Sequence, residues 1–307
     1  MMKYSLCILL AFTLMENVFS QGCSDAGFCT IGNIHTIPLD SIKEKKNKLS
    51  LLFTNGIGDQ GVYVFTPGIQ YEFEANAHFS FQSKITGNYA SGNLGSAGGA
   101  GDLFLSSTYL FNSKKKTKNS FTLGVKLPLN AGDLRFENNP LPMQYQSSLG
   151  TVDLIIGYKL GVKRLSVNFA WQLPLTGRNR NTFLPQYLNT PAAYAYAPSN
   201  DFNRKGDVLL RIAYQIISKD KWKWNSSLLS IYHLGEDTYV DRNISNKPVN
   251  IAGSEGLTVN ITSMFAYKIN KVITIGLSGG LPLVVRKVRP DGLTRAFALT
   301  PEINFNF

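Results

Sequence analysis

From Phe297 to the end of the chain, odd positions carry Phe297, Leu299, Pro301, Ile303, Phe305 and Phe307, while even positions carry Ala298, Thr300, Glu302, Asn304 and Asn306. Side chains alternate across a β-strand with period two, so this stretch predicts a strand with one face for an apolar medium and one for water. The same alternation recurs upstream. Tyr63, Phe65, Pro67, Ile69, Tyr71 and Phe73 oppose Thr66, Gln70 and Glu72, and Leu165, Val167, Phe169, Trp171 and Leu173 oppose Ser166, Asn168 and Gln172. Followed along the chain, the pattern predicts twelve strands near 49–56, 61–74, 77–86, 101–112, 119–129, 149–161, 163–174, 205–218, 222–233, 255–269, 271–283 and 293–307. The Gly/Ser/Ala-rich stretch from Gly87 to Gly101 lacks hydrophobic positions and reads as a flexible loop.

The connections alternate in length. Short turns fall at Glu74–Asn76, Ser113–Asn119, Gly161–Lys163, Ser218–Lys221 and Ile269–Lys271, and longer loops separate the resulting hairpins. A unit of roughly fifty residues repeats, with strand starts at Gly101-Asp102, Gly150-Thr151-Val152-Asp153, Gly206-Asp207 and Gly256-Leu257-Thr258. Three partner strands end alike, on Leu127-Pro128-Leu129, Leu173-Pro174-Leu175 and Leu281-Pro282-Leu283. Short turns at one end and long loops at the other are the asymmetry of outer-membrane barrels. Aromatic residues near the short turns, among them Tyr71, Phe73, Tyr109, Phe111, Tyr158, Trp222, Trp224 and Tyr267, suit a bilayer interface. The fold expected is all-β: a transmembrane antiparallel up-and-down β-barrel of about twelve strands spanning 49–307, with the short turns and both ends in the periplasm.

The N-terminus sets the compartment. Lys3, an apolar run from Leu6 to Leu14, and Val18-Phe19-Ser20 before Gln21 have the layout of a secretory signal over residues 1–20. A lipoprotein signal is the alternative, since Gly22 precedes Cys23, although Ser20 stands where a lipobox usually has Leu. Residues 21–48 then form a short periplasmic segment, too short for a large plug domain. Although 44% of all residues are hydrophobic, no mature stretch is long and apolar enough for a membrane helix, so the apolar residues are dispersed over strands.

Charge adds little to the choice of partner. Much of the net +11 sits in two local groups, Lys43, Lys45, Lys46 and Lys48 before the first strand and Lys114, Lys115, Lys116 and Lys118 in a turn. No aromatic residues interleave with them as a nucleic-acid stacking surface requires, so no nucleic acid is expected as a partner. Facing the lumen are Glu72, Lys84, Asp102, Lys126, Asp153, Lys159, Asp207, Arg211, Lys268 and Glu302. These form either a structural salt-bridge network or a selectivity lining. Asp102, Asp153 and Asp207 begin equivalent strands, where they would accept from loop backbone amides or ring the outer mouth as a weak cation attractor. Glu302 needs a partner, and Lys84 or Lys126 is the first choice in a narrow barrel. The longest loop, Thr176–Arg204, is rich in Tyr, Pro and Arg and serves either as a binding surface or as an inward-folded constriction. A lipid hydrolase would need a Ser–His pair, and His35, His78 and His233 offer none within a strand pair; Ser227 lies about 20 Å from His233 at ~3.3 Å per residue. No cofactor or metal site is expected.

The closing strand with its terminal Phe307 resembles the last strand of Gram-negative outer-membrane barrels, which the barrel-insertion machinery reads. The Gly-Asp strand starts with a Tyr seven residues after the Asp, together with the Leu-Pro-Leu endings, resemble outer-membrane transporters grouped with the phenol-degradation meta-pathway proteins, distant relatives of long-chain fatty-acid channels. The fourth repeat departs, with Thr258 in place of Asp. The resemblance implies passive movement of small, often apolar, solutes across the outer membrane, with surrounding lipid and the insertion machinery as partners and no enzymatic activity.

Cys7 leaves with the signal, so Cys23 and Cys29 are the two cysteines of the mature chain in an oxidising compartment. They are predicted to form one disulfide around a small loop. Mass spectrometry of unreduced mature protein is expected to find no free thiol; two free thiols would refute the pairing.

Overall fold

The computed structural model describes residues 46–111, 117–242, 246–292 and 295–307. The signal segment, Cys23 and Cys29, His35 and Lys114 to Lys116 lie outside these residues. Twelve long strands form one closed antiparallel barrel: β1 (Asn47–Gly58), β2 (Tyr63–Glu74), β3 (Phe79–Gly92), β4 (Gly95–Leu110), β5 (Thr117–Pro128), β8 (Asp153–Val162), β9 (Leu165–Pro174), β10 (Asp207–Ser218), β11 (Trp222–His233), β14 (Gly256–Lys268), β15 (Ile273–Val284) and β16 (Arg295–Asn306). Two small hairpins lie in the long loops, β6 (Arg135–Phe136) with β7 (Asn139–Pro140) and β12 (Thr238–Val240) with β13 (Pro248–Asn250).

The last strand closes on the first. Leu49 faces Phe305, Leu51 faces Ile303 and Leu52 faces Glu302. Asn47 and Phe307 exchange both backbone hydrogen bonds, each 3.0 Å. Every strand therefore has two neighbours, which satisfies the backbone polar groups in a medium without water. Both ends of the barrel chain lie at the same rim as the short turns, here named the turn end; the opposite rim is the loop end.

Alternation sorts the side chains as the sequence pattern expects. Outward positions hold Ile69, Leu123, Phe169, Ile261 and Leu277, all exposed, while the same strands turn Gln70, Thr122, Asn168, Asn260 and Ser278 inward. At the turn end the outward aromatics form a girdle. Phe79, Tyr109, Phe111 and Tyr158 follow one another with ring centroids 4.9, 5.0 and 6.5 Å apart, and Trp222 lies 4.2 Å from Tyr267. An apolar band with such a girdle is a surface for lipid, not for water.

Two expectations change. The stretch from Gly87 to Gly101 is not a loop: β3 and β4 continue through it and meet at a two-residue turn, Asn93-Leu94, with Gly92 opposite Gly95. Its small residues serve close packing. A Cβ at Gly92 would collide with the Tyr145 hydroxyl and one at Gly95 with the Phe136 ring, and one at Gly101 would lie 2.5 Å from Thr86 Oγ1 and 3.0 Å from Ser147 O. Gly95 also has φ +113°, a backbone conformation that side chains resist. The interior is also less uniformly polar than alternation implies. Phe104, Ile155, Ala170, Leu209 and Leu229 point inward from five strands and pack into one buried cluster, an apolar arc inside the barrel wall.

Candidate functional site

The long loops do not project from the barrel; they fold back over and into its loop end. They comprise residues 129–152, residues 175–206 with two short helices α1 (Pro185–Leu188) and α2 (Pro191–Tyr194), residues 234–242 and 246–255, and 285–292. Leu141, Tyr145, Phe183, Leu184 and Phe202 in these loops are at most 1% exposed, as buried as any globular core. Tyr145 and Tyr196 pack on Val62, Val64 and Ala90 of the barrel wall. Their hydroxyls meet at 3.2 Å and converge on Asn93 Oδ1, at 3.2 Å from Tyr145 and 2.7 Å from Tyr196.

Loop backbone buried without regular structure needs side-chain partners, and two asparagines supply many of them. Asn179 Oδ1 accepts from the amides of Asn181 and Phe202, both at 3.1 Å, while its Nδ2 donates to Leu149 O at 3.0 Å. Asn181 Nδ2 donates to Gly132 O and Leu141 O at 2.8 and 3.0 Å, and its Oδ1 accepts from Phe183 N and Ser199 Oγ at 3.0 and 2.7 Å. Loop 175–206 is thus sewn to loop 129–152.

A buried ionic network ties the loops to the strands. Arg204 Nε donates to Asp291 Oδ2 at 3.1 Å, and the same guanidinium bonds Asp207 at the start of β10. Asp207 Oδ1 lies 2.7 Å from His233 Nδ1, and His233 Nε2 lies 2.9 Å from Asp237 Oδ1. Arg286 bonds Asp291 and donates to Ser254 O at 2.8 Å, and Arg289 reaches Asp59 at 2.6 Å beside the β1–β2 turn. Burial by itself would raise the Asp291 carboxyl, but Arg286 and Arg204 hold it below the ordinary carboxylate range. Burial would likewise lower Arg204, yet Asp207, Asp291 and Asp237 raise it. Since the Asp291 pKa is depressed, its contribution to loop docking is complete above the ordinary carboxylate value of about 4 and is lost as pH falls below it.

The inward residues read from the sequence fall into three levels. At the loop end, Asp153 and Lys126 form a buried pair at 2.7 Å, and Thr151 Oγ1 donates to Asp153 at 2.7 Å, as Gln172 also does. Ser148 Oγ donates to Asp102 at 2.5 Å, and Asp207 belongs to the network above. Among the described residues, the bonds of these three aspartates run to side chains of a folded loop or a neighbouring strand. Lys84, Asp102, Phe104, Gln144 and Asp291 line a cavity of about 60 Å³ beneath the folded loops. Mid-barrel, Arg211 is buried opposite Asn168 and Leu229. Glu302 Oε1 accepts from Asn304 Nδ2 at 3.0 Å. Lys126, one of its two expected partners, is instead held by Asp153. Toward the turn end Glu72 pairs with Lys48 at 3.3 Å, and Lys159 and Lys268 occupy inward positions near the strand ends.

Sequence reasoning missed Arg204, Asp237, Arg286 and Asp291, as well as Asn179 and Asn181. Arg204 and Asp291 are 87 residues apart, and loops carry no periodicity that would connect them. His233, weighed as a hydrolase base, has both ring nitrogens committed to carboxylates. Ser227 Oγ pairs with Thr262 at 2.6 Å, so the two do not form a nucleophile–base unit.

No protein-family model matches the chain, and no curated protein does. The resemblance to the meta-pathway transporters is therefore not confirmed at the level of family. Among solved structures the chain is similar to the NanC porin, at 8% identity over 84% of this chain and 98% of that one with a TM-score of 0.47. It is similar to the CymD monoaromatic hydrocarbon channel at 9% identity, over 94% of each chain, with a TM-score of 0.42. The translocator domain of the autotransporter NalP from Neisseria meningitidis matches at 8% identity over 87% of this chain and 91% of that one, with a TM-score of 0.44. Likeness this distant carries no function across.

Removing one partner of a buried ion pair leaves a charge unpaired and costs about 3–5 kcal/mol. Asp291→Asn is therefore expected to release the loops locally. Trypsin should then cleave after buried Arg204 roughly a hundredfold faster than in the wild-type protein. Equal rates in both proteins would refute the docking role of the network.

Proposed function

We propose that this chain is a solute channel of a Gram-negative outer membrane, closed at its outer mouth by its own loops. One observation carries the reading: a closed barrel with a lipid-adapted exterior has its loop end filled by folded loops, held by a buried charge network. A barrel that only anchored a surface-binding domain would need no such seal within its own mouth. The loop end then faces the exterior and the turn end the periplasm, the orientation in which barrel turns and loops are usually disposed. Insertion from the periplasm through the Phe307-ended strand accords with that orientation.

Twelve strands lie between the eight-stranded barrels that side chains fill and the sixteen-stranded ones that hold an aqueous channel. Here the inward face carries mainly Ser, Thr, Asn, Gln and charged side chains, with an apolar arc from Phe104 to Leu229 and single apolar positions such as Leu52, Val64 and Met264. Such a lining favours a polar solute over the apolar ones that the sequence resemblance implies. The loops act as the gate.

Deletion of residues 181–198 removes Asn181, Phe183 and Tyr196 from the seal. In planar bilayers the deleted protein is expected to conduct steadily, with an open probability about tenfold or more above that of the full chain. Unchanged conductance would show that the loops are not the barrier and would favour a surface-binding or assembly role.

A further inference from the structure

His233 is 1% exposed, and each ring nitrogen lies within hydrogen-bond reach of a carboxylate oxygen, Nδ1 of Asp207 and Nε2 of Asp237. An ionised carboxylate only accepts, so both nitrogens have to donate, and a ring that donates from both is the imidazolium. Both acids are held as anions: Asp207 also bonds the Arg204 guanidinium, and Asp237 Oδ1 also accepts from the Lys205 amide at 2.8 Å. Charge balance agrees. The buried ionisable groups that meet His233 here are Arg204 from loop 175–206, Asp207 from β10, Asp237 from the loop after β11, and Arg286 and Asp291 from loop 285–292. Two guanidiniums face three carboxylates, and the His233 proton supplies the third positive charge. On the flanking strands Gln172 stands opposite Asp207 and Gly256 opposite His233, and neither titrates. Lys205 and Glu255, the next charged residues along the loops, are exposed to solvent.

Asp237 transmits that proton to the loops. Its carboxylate is fully buried, its Oδ2 has no hydrogen-bond partner among the described residues, and Arg286 Nη1 stands 3.9 Å away. Among the described residues His233 is therefore the cation in hydrogen-bond contact with it. The same residue ties two loops together. Besides accepting from Lys205 of loop 175–206, Asp237 donates its own amide to Ser254 Oγ at 2.8 Å, and its carbonyl accepts from Ile251 N at 2.8 Å. Loss of the His233 proton sets a nitrogen lone pair against a carboxylate oxygen and leaves the buried network with one negative charge too many. A buried charge stripped of its partner is the costly case for an ionic network.

We infer that His233 is a proton-operated latch of the loop seal: with the ring charged the loops stay docked, and as pH rises and the proton leaves, the segment around Asp237 lets go and the mouth opens. This rests on the reading of the loops as the gate. The sign follows from linkage, since the docked state binds a proton that the undocked state releases more readily, so docking weakens as pH rises. Asp291 acts in the opposite sense, loosening the same seal only in acid, where its carboxylate is neutralised. The closed state is thus confined between an acid limit set by Asp291 and an alkaline limit set by His233.

Planar-bilayer recordings of the full chain between about pH 6 and about pH 9.5 test the latch. Wild-type open probability is expected to rise about tenfold or more across that range. His233→Gln, neutral at every pH, should be open at the lower limit already and show no further response. A wild-type open probability that does not change, or an equal pH response in His233→Gln, overturns the inference. The chain has three histidines, so 15N-histidine labelling in detergent, assigned with His35→Gln and His78→Gln, follows the ring even if His233→Gln fails to fold. Two protonated nitrogens on His233 at about pH 6 are expected, and a neutral ring there overturns the latch. Hydrogen exchange of residues 234–242, corrected for the intrinsic pH dependence of amide exchange, separates the latch from the channel reading. Protection lost on the alkaline side in a protein that never conducts removes the channel reading and leaves the latch. Conductance that responds to pH while protection stays constant overturns the latch alone.

Discussion

A strand in lipid must hand every backbone hydrogen bond to a neighbour, and the rest of this structure follows from meeting that demand by closure. Pairing of β16 with β1 through Leu49–Phe305 and Leu51–Ile303 leaves no edge in the apolar medium. Closure then fixes one face of every strand as exterior and the other as interior. Apolar side chains have to face out, where lipid receives them, and the polar set is confined to a lumen only twelve strands around. Charges so confined need partners, and their pairing determines which regions of the lumen are filled.

The loop end resolves that confinement by pairing. At the loop end positive and negative groups are matched: Lys126 with Asp153, and Arg204 and Arg286 with Asp207 and Asp291. A buried ionic network contributes little net stability compared with an apolar core, but breaking it is costly. It suits a closure that must be specific and able to reopen as a unit.

Lipid makes the strands legible in sequence. Period-two alternation in β9, from Leu165 to Leu173, is enforced because each outward residue meets hydrocarbon, and the same holds for Phe297 to Phe305. Twelve strands, their order and the closing pair could thus be read without coordinates. The β3–β4 extension could not, because the glycines of 87–101 are selected by close contact with Tyr145, Phe136 and Ser147, each 41 or more positions from the glycine it touches, and not by lipid. Inward parity placed Asp153, Asp207 and Arg211 on the lumen side, but parity gives no partner. Arg204, Asn181 and Asp291 left no trace at all, since an irregular loop acquires its partners only when the whole barrel is assembled.

Hydrogen exchange followed by mass spectrometry on the reconstituted protein tests most directly whether the loops form a folded seal. The account predicts that peptides covering Asn179–Phe183 and Ser199–Phe202, whose amides bond Asn179, Asn181 and one another, exchange on the slow time scale of the barrel strands. Exchange within seconds, as for solvent-exposed loops, would contradict it.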